Sequence, residues 1–119
     1  MLENATASYA DRYRGAGGLT WLNRVNGGHA IDFACLSLND ARVLHLPGEP
    51  FIEYQLFAQQ FRPERFVALA GYGDCGPGYL PTAAAYEEGG YESSGAALVA
   101  PESEEIIQDA IARLLQEAD

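Results

Sequence analysis

Two apolar runs separated by a short polar turn constrain most strongly what this chain can fold into. Ala30 to Leu38 is almost continuously apolar, Asn39-Asp40 follows, and Ala41 to Leu46 forms the second run. Runs of this length bounded by turn residues are typical of strands, so we predict a β-hairpin whose first strand is buried on both faces. Pro47-Gly48 must end the second strand, because proline cannot donate to a ladder and glycine tolerates a sharp turn.

The segment after this turn predicts a helix and then a parallel strand. Pro50 suits the first turn of a helix, and apolar residues on more than one face of residues 50–61 predict burial between two layers. Phe66 to Ala70 is a short apolar strand, so residues 42–70 make a strand-helix-strand unit whose strands run parallel. Residues 71–81 are rich in glycine and proline and predict a long loop without regular structure.

Helices are expected towards both ends of the chain. Residues 3–14 and 18–25 have helical apolar spacing, and the glycines at positions 15, 17 and 18 are expected to end the first helix. Thr82 is placed to cap a brief helix. The clearest periodicity runs from Pro101 to Glu117, where the apolar face consists of Ile107, Ala110, Ile111, Leu114 and Leu115.

These elements predict an α/β fold built on a small mixed sheet of three to four strands. The sheet combines the hairpin with the strand-helix-strand unit, helices pack on it, and an amphipathic helix ends the chain. With 119 residues, 48% of them apolar, the chain fits a single domain over residues 1–119, in which residues 1–29 form a helical lead-in.

The charge of the chain excludes several classes of partner. Seventeen acidic and seven basic residues give a formal net charge of −10, which repels nucleic acids and anionic membrane surfaces. No apolar run is long enough to span a membrane, so stable membrane insertion is not expected. Met1-Leu2-Glu3-Asn4 lacks the basic start and apolar stretch of a signal peptide, which predicts a cytoplasmic location for the chain as given.

The cysteines and histidines follow no recognisable ligand spacing. Cys35 and Cys75 are too few for a disulfide framework, and we expect reduced, mostly buried thiols. His45 is expected to be a sheet residue with a satisfied hydrogen bond, and His29, beside two glycines, a solvated loop residue. Cys75 would be a nucleophile only if His45 reached it, and no Cys/His spacing in the sequence supports that role.

Two candidate site segments follow the two parallel strands. Glu49 comes after the first strand and residues 71–79 after the second. Because ligands bind at the carboxyl ends of parallel strands, both segments are expected to face one cavity. The local sequence also fits a structural role for Glu49, as an acidic residue stabilised at a helix N-terminus. The tyrosines nearby have packing as their simplest role, and they are Tyr72, Tyr79, Tyr86 and Tyr91.

The glycines of this loop also invite a nucleotide-binding interpretation. Gly71-x-Gly73-x-x-Gly76 directly follows an apolar strand, as the dinucleotide fingerprint does. That fingerprint needs a helix opening at its third glycine, and Pro77, Gly78 and Pro81 forbid a helix there. We therefore expect the glycines to permit close backbone packing rather than phosphate binding.

The residues from Leu46 onward resemble a known family. Several separated elements follow one another in the order and spacing of the neutral/alkaline (non-lysosomal) ceramidases, particularly their bacterial ceramidase-like members. The similarity covers residues 30–117 well and residues 1–29 loosely, and it corresponds to the C-terminal part of the zinc-dependent catalytic region. The matching elements are Leu46-Pro47-Gly48-Glu49, an amphipathic helix, a strand ending in Ala70-Gly71, Gly78-Tyr79-Leu80-Pro81-Thr82, Tyr86, and Tyr91-Glu92.

The resemblance implies a zinc amidase that hydrolyses the N-acyl bond of ceramide, a reaction of sphingolipid metabolism, with a zinc-bound water as nucleophile. Two upstream histidines, the glutamate of Pro-Gly-Glu and a loop tyrosine hold the zinc of that family. Glu49 and Tyr79 match the last two ligands. The upstream histidine segments have no counterpart, so we expect the C-terminal portion of a ceramidase-like zinc amidohydrolase that is inactive alone. Zinc belongs to the complete family site, and this chain alone is not expected to hold it tightly.

The alternative function is a non-catalytic, self-associating interaction module on the same scaffold. A portion of the family fold without its neighbours would expose sheet edges and apolar helix faces, which favour association. The expected partner is accordingly a second copy in a homodimer or the missing N-terminal half. Secretion of full-length relatives is left open by the resemblance.

Overall fold

The structure, a computed structural model, describes residues 6–73 and 76–117. The chain divides into two compact units, residues 1–30 and residues 31–119. The organisation as a single domain over residues 1–119 stays a prediction. Over the described residues, every helix is too short or too polar to cross a membrane.

Over its described residues, 6–30, the first unit contains one helix, α1 (Tyr9–Asn26). Ser8 caps its N-terminus, because the Ser8 hydroxyl oxygen accepts a hydrogen bond from the backbone N–H of Asp11 at 3.1 Å. Gly27 and Gly28 end the helix, and Gly28 adopts a left-handed φ of 70°. None of the residues of α1 is buried.

The prediction of two helices over residues 3–14 and 18–25 is wrong for the described part of these ranges, because α1 runs through the glycines at positions 15, 17 and 18. Residues 3–5 lie outside the described residues. An isolated glycine lowers helix stability without obliging the helix to end, and the residues from Leu19 to Val25 continue the helical pattern. The glycine cluster is therefore a weak segment inside one helix.

The second unit begins with a β-hairpin, as predicted. The strands β1 (Ala34–Leu38) and β2 (Ala41–Pro47) pair antiparallel through the Asn39-Asp40 turn, and Asn39 adopts a left-handed φ of 51°. The prediction that Ala30 to Leu38 is a strand buried on both faces is wrong. The strand starts at Ala34 and lies at the edge of a three-stranded sheet, and all of its residues are exposed except Cys35, which is half-buried.

A strand-helix-strand unit follows the hairpin, and its strands run parallel as predicted. The chain continues as β3 (Glu49–Pro50), α2 (Ile52–Phe61) and β4 (Val67–Gly73), and β4 pairs with β2. Pro50 lies in β3 and not in the first turn of the helix, which corrects the expectation for this residue. The reason is that β3 pairs with a later strand, and the Phe51 N–H donates to the Leu80 carbonyl oxygen at 3.2 Å.

Helix α2 is covered on one side only, which corrects the prediction that it lies between two layers. Tyr54 and Ala58 are fully buried, whereas Ile52 and Leu56 remain 64% and 47% exposed. The Gln55 side chain joins the helix to the outer edge of β4: it donates to the Val67 carbonyl oxygen at 2.9 Å and accepts from the Leu69 N–H at 2.6 Å. This side-chain amide satisfies backbone groups that an edge strand would otherwise expose.

The rest of the chain forms β5 (Tyr79–Leu80), α3 (Ala83–Glu88), α4 (Tyr91–Ser94) and α5 (Ser103–Glu117). The strands β3 and β5 make a small parallel pair, so the prediction that residues 71–81 lack regular structure is wrong for the ends of that segment. Thr82 caps α3 as predicted, since its hydroxyl oxygen accepts from the Ala85 N–H at 3.4 Å.

The core lies between one face of the sheet and the helices α2 and α5. The predicted apolar face of the C-terminal helix is confirmed, with Ile107, Ile111 and Leu115 buried. The predicted fold class is likewise confirmed: an α/β fold with a small mixed sheet, helices packed on it and a C-terminal amphipathic helix. The buried cluster consists of Leu44, Leu46, Tyr54, Ala58, Val67, Leu80, Ile107, Ile111 and Leu115.

The exposed glycines of α1 predict a simple stabilisation. A Cβ added at Gly17 or Gly18 would meet no atom within 4 Å. We expect Gly17→Ala and Gly18→Ala each to stabilise α1 by about 0.5–1 kcal/mol, because alanine loses less backbone entropy in a helix. Helical circular dichroism should rise. Gly28→Ala is the control, since its left-handed φ should make alanine unfavourable there.

The buried hydroxyl of Tyr54 predicts a stability loss. Tyr54 is fully buried and donates a hydrogen bond to the Pro81 carbonyl oxygen at 3.0 Å. Tyr54→Phe leaves that oxygen without its partner, so we expect a loss of about 1–2 kcal/mol in the free energy of unfolding by urea. Tyr91→Phe is the matched control and should cost about 0.5 kcal/mol or less, because its hydrogen bond is exposed. Equal losses in the two variants would contradict this account.

Candidate functional site

Glu49 and Tyr79 lie side by side, although they are far apart in sequence. They are direct partners in the parallel pairing of β3 and β5, and Pro50 pairs with Leu80 in the next position. The Glu49 N–H donates to the Gly78 carbonyl oxygen at 2.8 Å. Register partners in a sheet direct their side chains to the same face, so the carboxylate and the phenol share one side of the pair.

The pairing depends on a close crossing of two backbone segments. Gly48 and Gly78 both adopt left-handed φ values, of 67° and 79°. A Cβ at Gly48 would collide with the Gly78 carbonyl oxygen, and a Cβ at Gly76 would overlap the Gly48 backbone. The glycines therefore serve close backbone packing, as the sequence predicts for them.

The far side of the loop is fixed by backbone bonds to residues 96–98. The Tyr79 N–H donates to the Ala96 carbonyl oxygen at 3.1 Å, and the Leu98 N–H donates to the Pro77 carbonyl oxygen at 2.9 Å. The loop thus lies between the Pro-Gly-Glu turn on one side and an extended segment on the other. Tyr79 is held by paired backbone although its loop contains little regular structure.

A cavity of about 290 Å³ opens over this crossing. The prediction that Glu49 and the glycine loop face one cavity is confirmed. Glu49 carries the only charge among the described lining residues, so the cavity wall is anionic and rich in phenol and backbone groups. The lining consists of Gly48, Glu49, Tyr72, Gly73, Gly76, Gly78, Tyr79 and Ala96.

A second recess of about 250 Å³ shares Glu49 and Tyr72 with the first cavity. Phe51, Ile52 and Leu69 contribute to its wall together with Glu49 and Tyr72. Glu49 and Tyr72 therefore contribute to the walls of both cavities.

Tyr72 is a neighbour of Glu49 to which the sequence assigned no site role. It adopts a left-handed φ of 62°, which is uncommon for a tyrosine, and its N–H donates to the Gly48 carbonyl oxygen. A hydrogen bond with Glu49, followed by partial desolvation and the charge of that carboxylate, raises the pKa of Tyr72. The sequence does give one indication of this contact: Tyr72 lies between Gly71 and Gly73. The conformational freedom of the two glycines allows the Tyr72 side chain to point towards Gly48 and Glu49.

Tyr79 is held as a neutral phenol by its surroundings. Its hydroxyl shares a hydrogen bond with the Tyr91 hydroxyl at 3.1 Å, and the two rings meet edge to face at 5.5 Å between centroids. The hydrogen bond with Tyr91, partial desolvation and the negative charge of Glu49 raise the pKa of Tyr79 well above its ordinary value. Glu49 also hydrogen-bonds Tyr79, so one carboxylate faces two tyrosines.

The other candidate residues lie in the positions expected from the sequence. His45 is a half-buried residue of β2, with its ring over Gly73, and His29 is exposed. Cys35 is a free, half-buried thiol, and burial raises its pKa, which opposes a nucleophilic role. The prediction of a buried thiol at Cys75 lies outside the described residues.

The glycine loop does not open a helix. The chain passes from Gly76 through Pro77 and Gly78 into β5, and the next helix begins only at Ala83. A dinucleotide site would need a helix N-terminus at the third glycine of the fingerprint. The geometry of this loop therefore does not resemble that site.

The donors that line the cavity are too few for a complete zinc site. In the parts of the chain that the structure describes, no three side chains of His, Cys, Asp or Glu form a group that could hold a metal ion. Glu49 and Tyr79 offer two oxygen donors, whereas zinc in proteins takes three or four protein ligands. These residues therefore do not fit a complete zinc site, and tight binding would need two further donors.

Comparisons of this chain with family models, with curated proteins and with solved structures find no match.

The phenol network predicts a specific alkaline titration. Because the folded-state pKa of Tyr79 is raised above its unfolded value near 10, its stabilising contribution should be complete below about pH 10 and lost at higher pH. Glu49→Gln should lower the pKa of Tyr79, since it removes a nearby negative charge. NMR of tyrosines labelled at Cζ measures this pKa, with Tyr79→Phe assigning the signal. The matched control is Glu53→Gln, and an equal shift in both variants would refute the assignment.

Proposed function

We propose that this chain is the C-terminal portion of a ceramidase-like zinc amidohydrolase and contributes Glu49 and Tyr79 to its metal site. The observation that carries the proposal is the register of β3 and β5, which brings these two residues together on the wall of one cavity. They are also the two positions that match ligands of the ceramidase family. Two histidine donors would come from a segment that this chain does not contain.

The neighbouring tyrosines support this role by orienting the two oxygen donors. Tyr72 hydrogen-bonds the Glu49 carboxylate, and Tyr91 hydrogen-bonds the Tyr79 hydroxyl. Groups of this kind hold ligands of a metal in position and tune their basicity. A zinc ion held there would polarise the amide carbonyl and acidify a water molecule. The residues of this chain would fix the geometry of one half of that site.

We expect the isolated chain to be inactive. Two donors bind zinc weakly, and the Tyr79 phenol, whose pKa is raised above its ordinary value near 10, is protonated at neutral pH. Ionisation of Tyr79 would need a nearby cation, because a bound divalent ion reverses the effect of local negative charge on pKa. Zinc affinity should therefore depend on the donors that complete the set.

Imidazole can replace the missing histidines in a test of this proposal. We expect the chain to bind Zn²⁺ weakly by calorimetry, and about two equivalents of imidazole to tighten binding at least about tenfold by supplying nitrogen donors. Glu49→Gln and Tyr79→Phe should each remove about tenfold or more of that affinity. The chain should hydrolyse no N-acyl amide in the absence of added donors.

The controls are the same chemical changes outside the cavity. Glu53→Gln and Tyr13→Phe remove a carboxylate and a hydroxyl that do not line it, and both should bind Zn²⁺ like the wild type. If Glu49→Gln retains full imidazole-dependent zinc affinity, Glu49 is not a ligand and the proposed function is wrong.

A further inference from the structure

The three-stranded sheet is covered by helices of its own unit on one face. Strand β2 directs Leu44 and Leu46 towards the core, where α2 and α5 pack. Alternate residues point the other way, and the register of the strands arranges them in rows. We call this surface the open face. Each of its three rows takes one residue from β1, one from β2 and one from β4 or the residue before it. The rows are Leu38, Ala41 and Phe66; Leu36, Val43 and Ala68; and Ala34, His45 and Ala70.

The position of Phe66 in the first row follows from its backbone. It precedes Val67, whose side chain is buried in the core, and the Phe66 carbonyl oxygen accepts a hydrogen bond from the Arg42 N–H at 2.9 Å. The extended pairing therefore already includes Phe66. Alternation then places its side chain on the same face as that of Ala68.

The open face is apolar and exposed. Leu36, Leu38 and Phe66 are 56%, 55% and 69% exposed. All-parallel sheets are usually covered on both faces, and in this mixed sheet the parallel strands β2 and β4 likewise carry apolar side chains in both directions. Large apolar side chains side by side on one face mark an interaction surface more reliably than scattered ones.

The charge of the chain indicates what covers this face. The chain has a formal net charge of −10, yet the nine residues of the open face include no Asp, Glu, Lys or Arg. Two copies that met through their acidic surfaces would oppose carboxylates, whereas two open faces bring no charges together. A strongly basic or acidic partner would gain no charge complementarity there.

We infer that the open face is where a second copy of this chain docks. From the exposed fractions of its side chains, the face offers on the order of 600 Å² per copy, which reaches the lower limit of specific interfaces, about 1,200 Å² in total. The dimer should accordingly dissociate in the micromolar range. This inference is independent of the metal site, because the proposed ligands Glu49 and Tyr79 are not among the nine residues.

Face-to-face stacking suits the geometry of the sheet. Identical apolar faces can meet across a two-fold axis, so that the same side chains contact in both copies. Two sheets stacked in this way bury both inner faces in one layer. The outer edge of β4 is already satisfied by Gln55, so continuation of the sheet there is not the expected mode.

Sedimentation of the full chain tests the inference. We expect the wild type to be a dimer at about 100 µM and to dissociate on dilution. Leu36→Glu places a carboxylate on the face of each copy and should raise the dissociation constant at least about tenfold. Leu36→Thr, which favours a strand, should weaken the dimer less and guards against misfolding of the glutamate variant.

The matched control is Ile106→Glu on α5, where an isoleucine 66% exposed receives the same charge away from the sheet. It should associate like the wild type. A wild-type monomer at all concentrations would overturn the inference. So would a dimer that both Leu36 variants leave unchanged, because association would then use another surface, such as the edge of β1 or helix α1.

Discussion

The close crossing of the Pro-Gly-Glu turn and the glycine loop is the constraint on which the site depends. Two backbone segments approach until no Cβ fits between them at Gly48 and Gly76. Only this approach allows the Glu49 N–H to reach the Gly78 carbonyl oxygen and brings β3 into register with β5. The backbones of Glu49 and Tyr79 are therefore held next to each other by backbone contact, with their side chains on the same face of the pair.

The crossing is in turn anchored to the core. Tyr54 joins α2 to the Pro81 carbonyl oxygen, and Tyr86 donates to the Val99 carbonyl oxygen at 2.7 Å, so both sides of the loop are tied to helices. The parallel pairing of β2 and β4 sets where the two loop segments leave the sheet. Burial of apolar side chains thus fixes a polar arrangement several residues away, which is how a small sheet can hold a site on irregular backbone.

Much of the fold could be predicted from sequence because its signals are local. The Asn39-Asp40 turn, the apolar face of the last helix and the Thr82 cap depend on neighbouring residues, and each lies where it is expected. The errors arise where distant contacts decide the outcome. Pro50 belongs to a strand because Leu80 pairs with it, and local sequence cannot show that partner.

Burial was the harder property to predict, for a related reason. The apolar run ending at Leu38 has the composition of a central strand, yet it lies at the sheet edge and only Cys35 of the strand is half-buried. The composition of a segment shows which side chains it could bury, whereas the topology of the sheet decides whether another element covers them. The candidate site also combines a feature that the sequence indicates with one that it does not. The order of motifs predicts Glu49 and Tyr79, whereas the contact of Tyr72 with Glu49 depends on the left-handed backbone angle of Tyr72.

The protonation of the tyrosines connects the incomplete donor set to the expected inactivity. Glu49 faces Tyr72 and Tyr79, and its negative charge raises the pKa of both phenols. In this chain the carboxylate therefore faces two neutral phenols. A cation would have to displace those hydrogen bonds and remove the Tyr79 proton, which costs free energy that two donors alone do not return. The additional donors of a complete site would have to supply that difference, so in the proposed enzyme metal binding and assembly of the two halves would be linked equilibria.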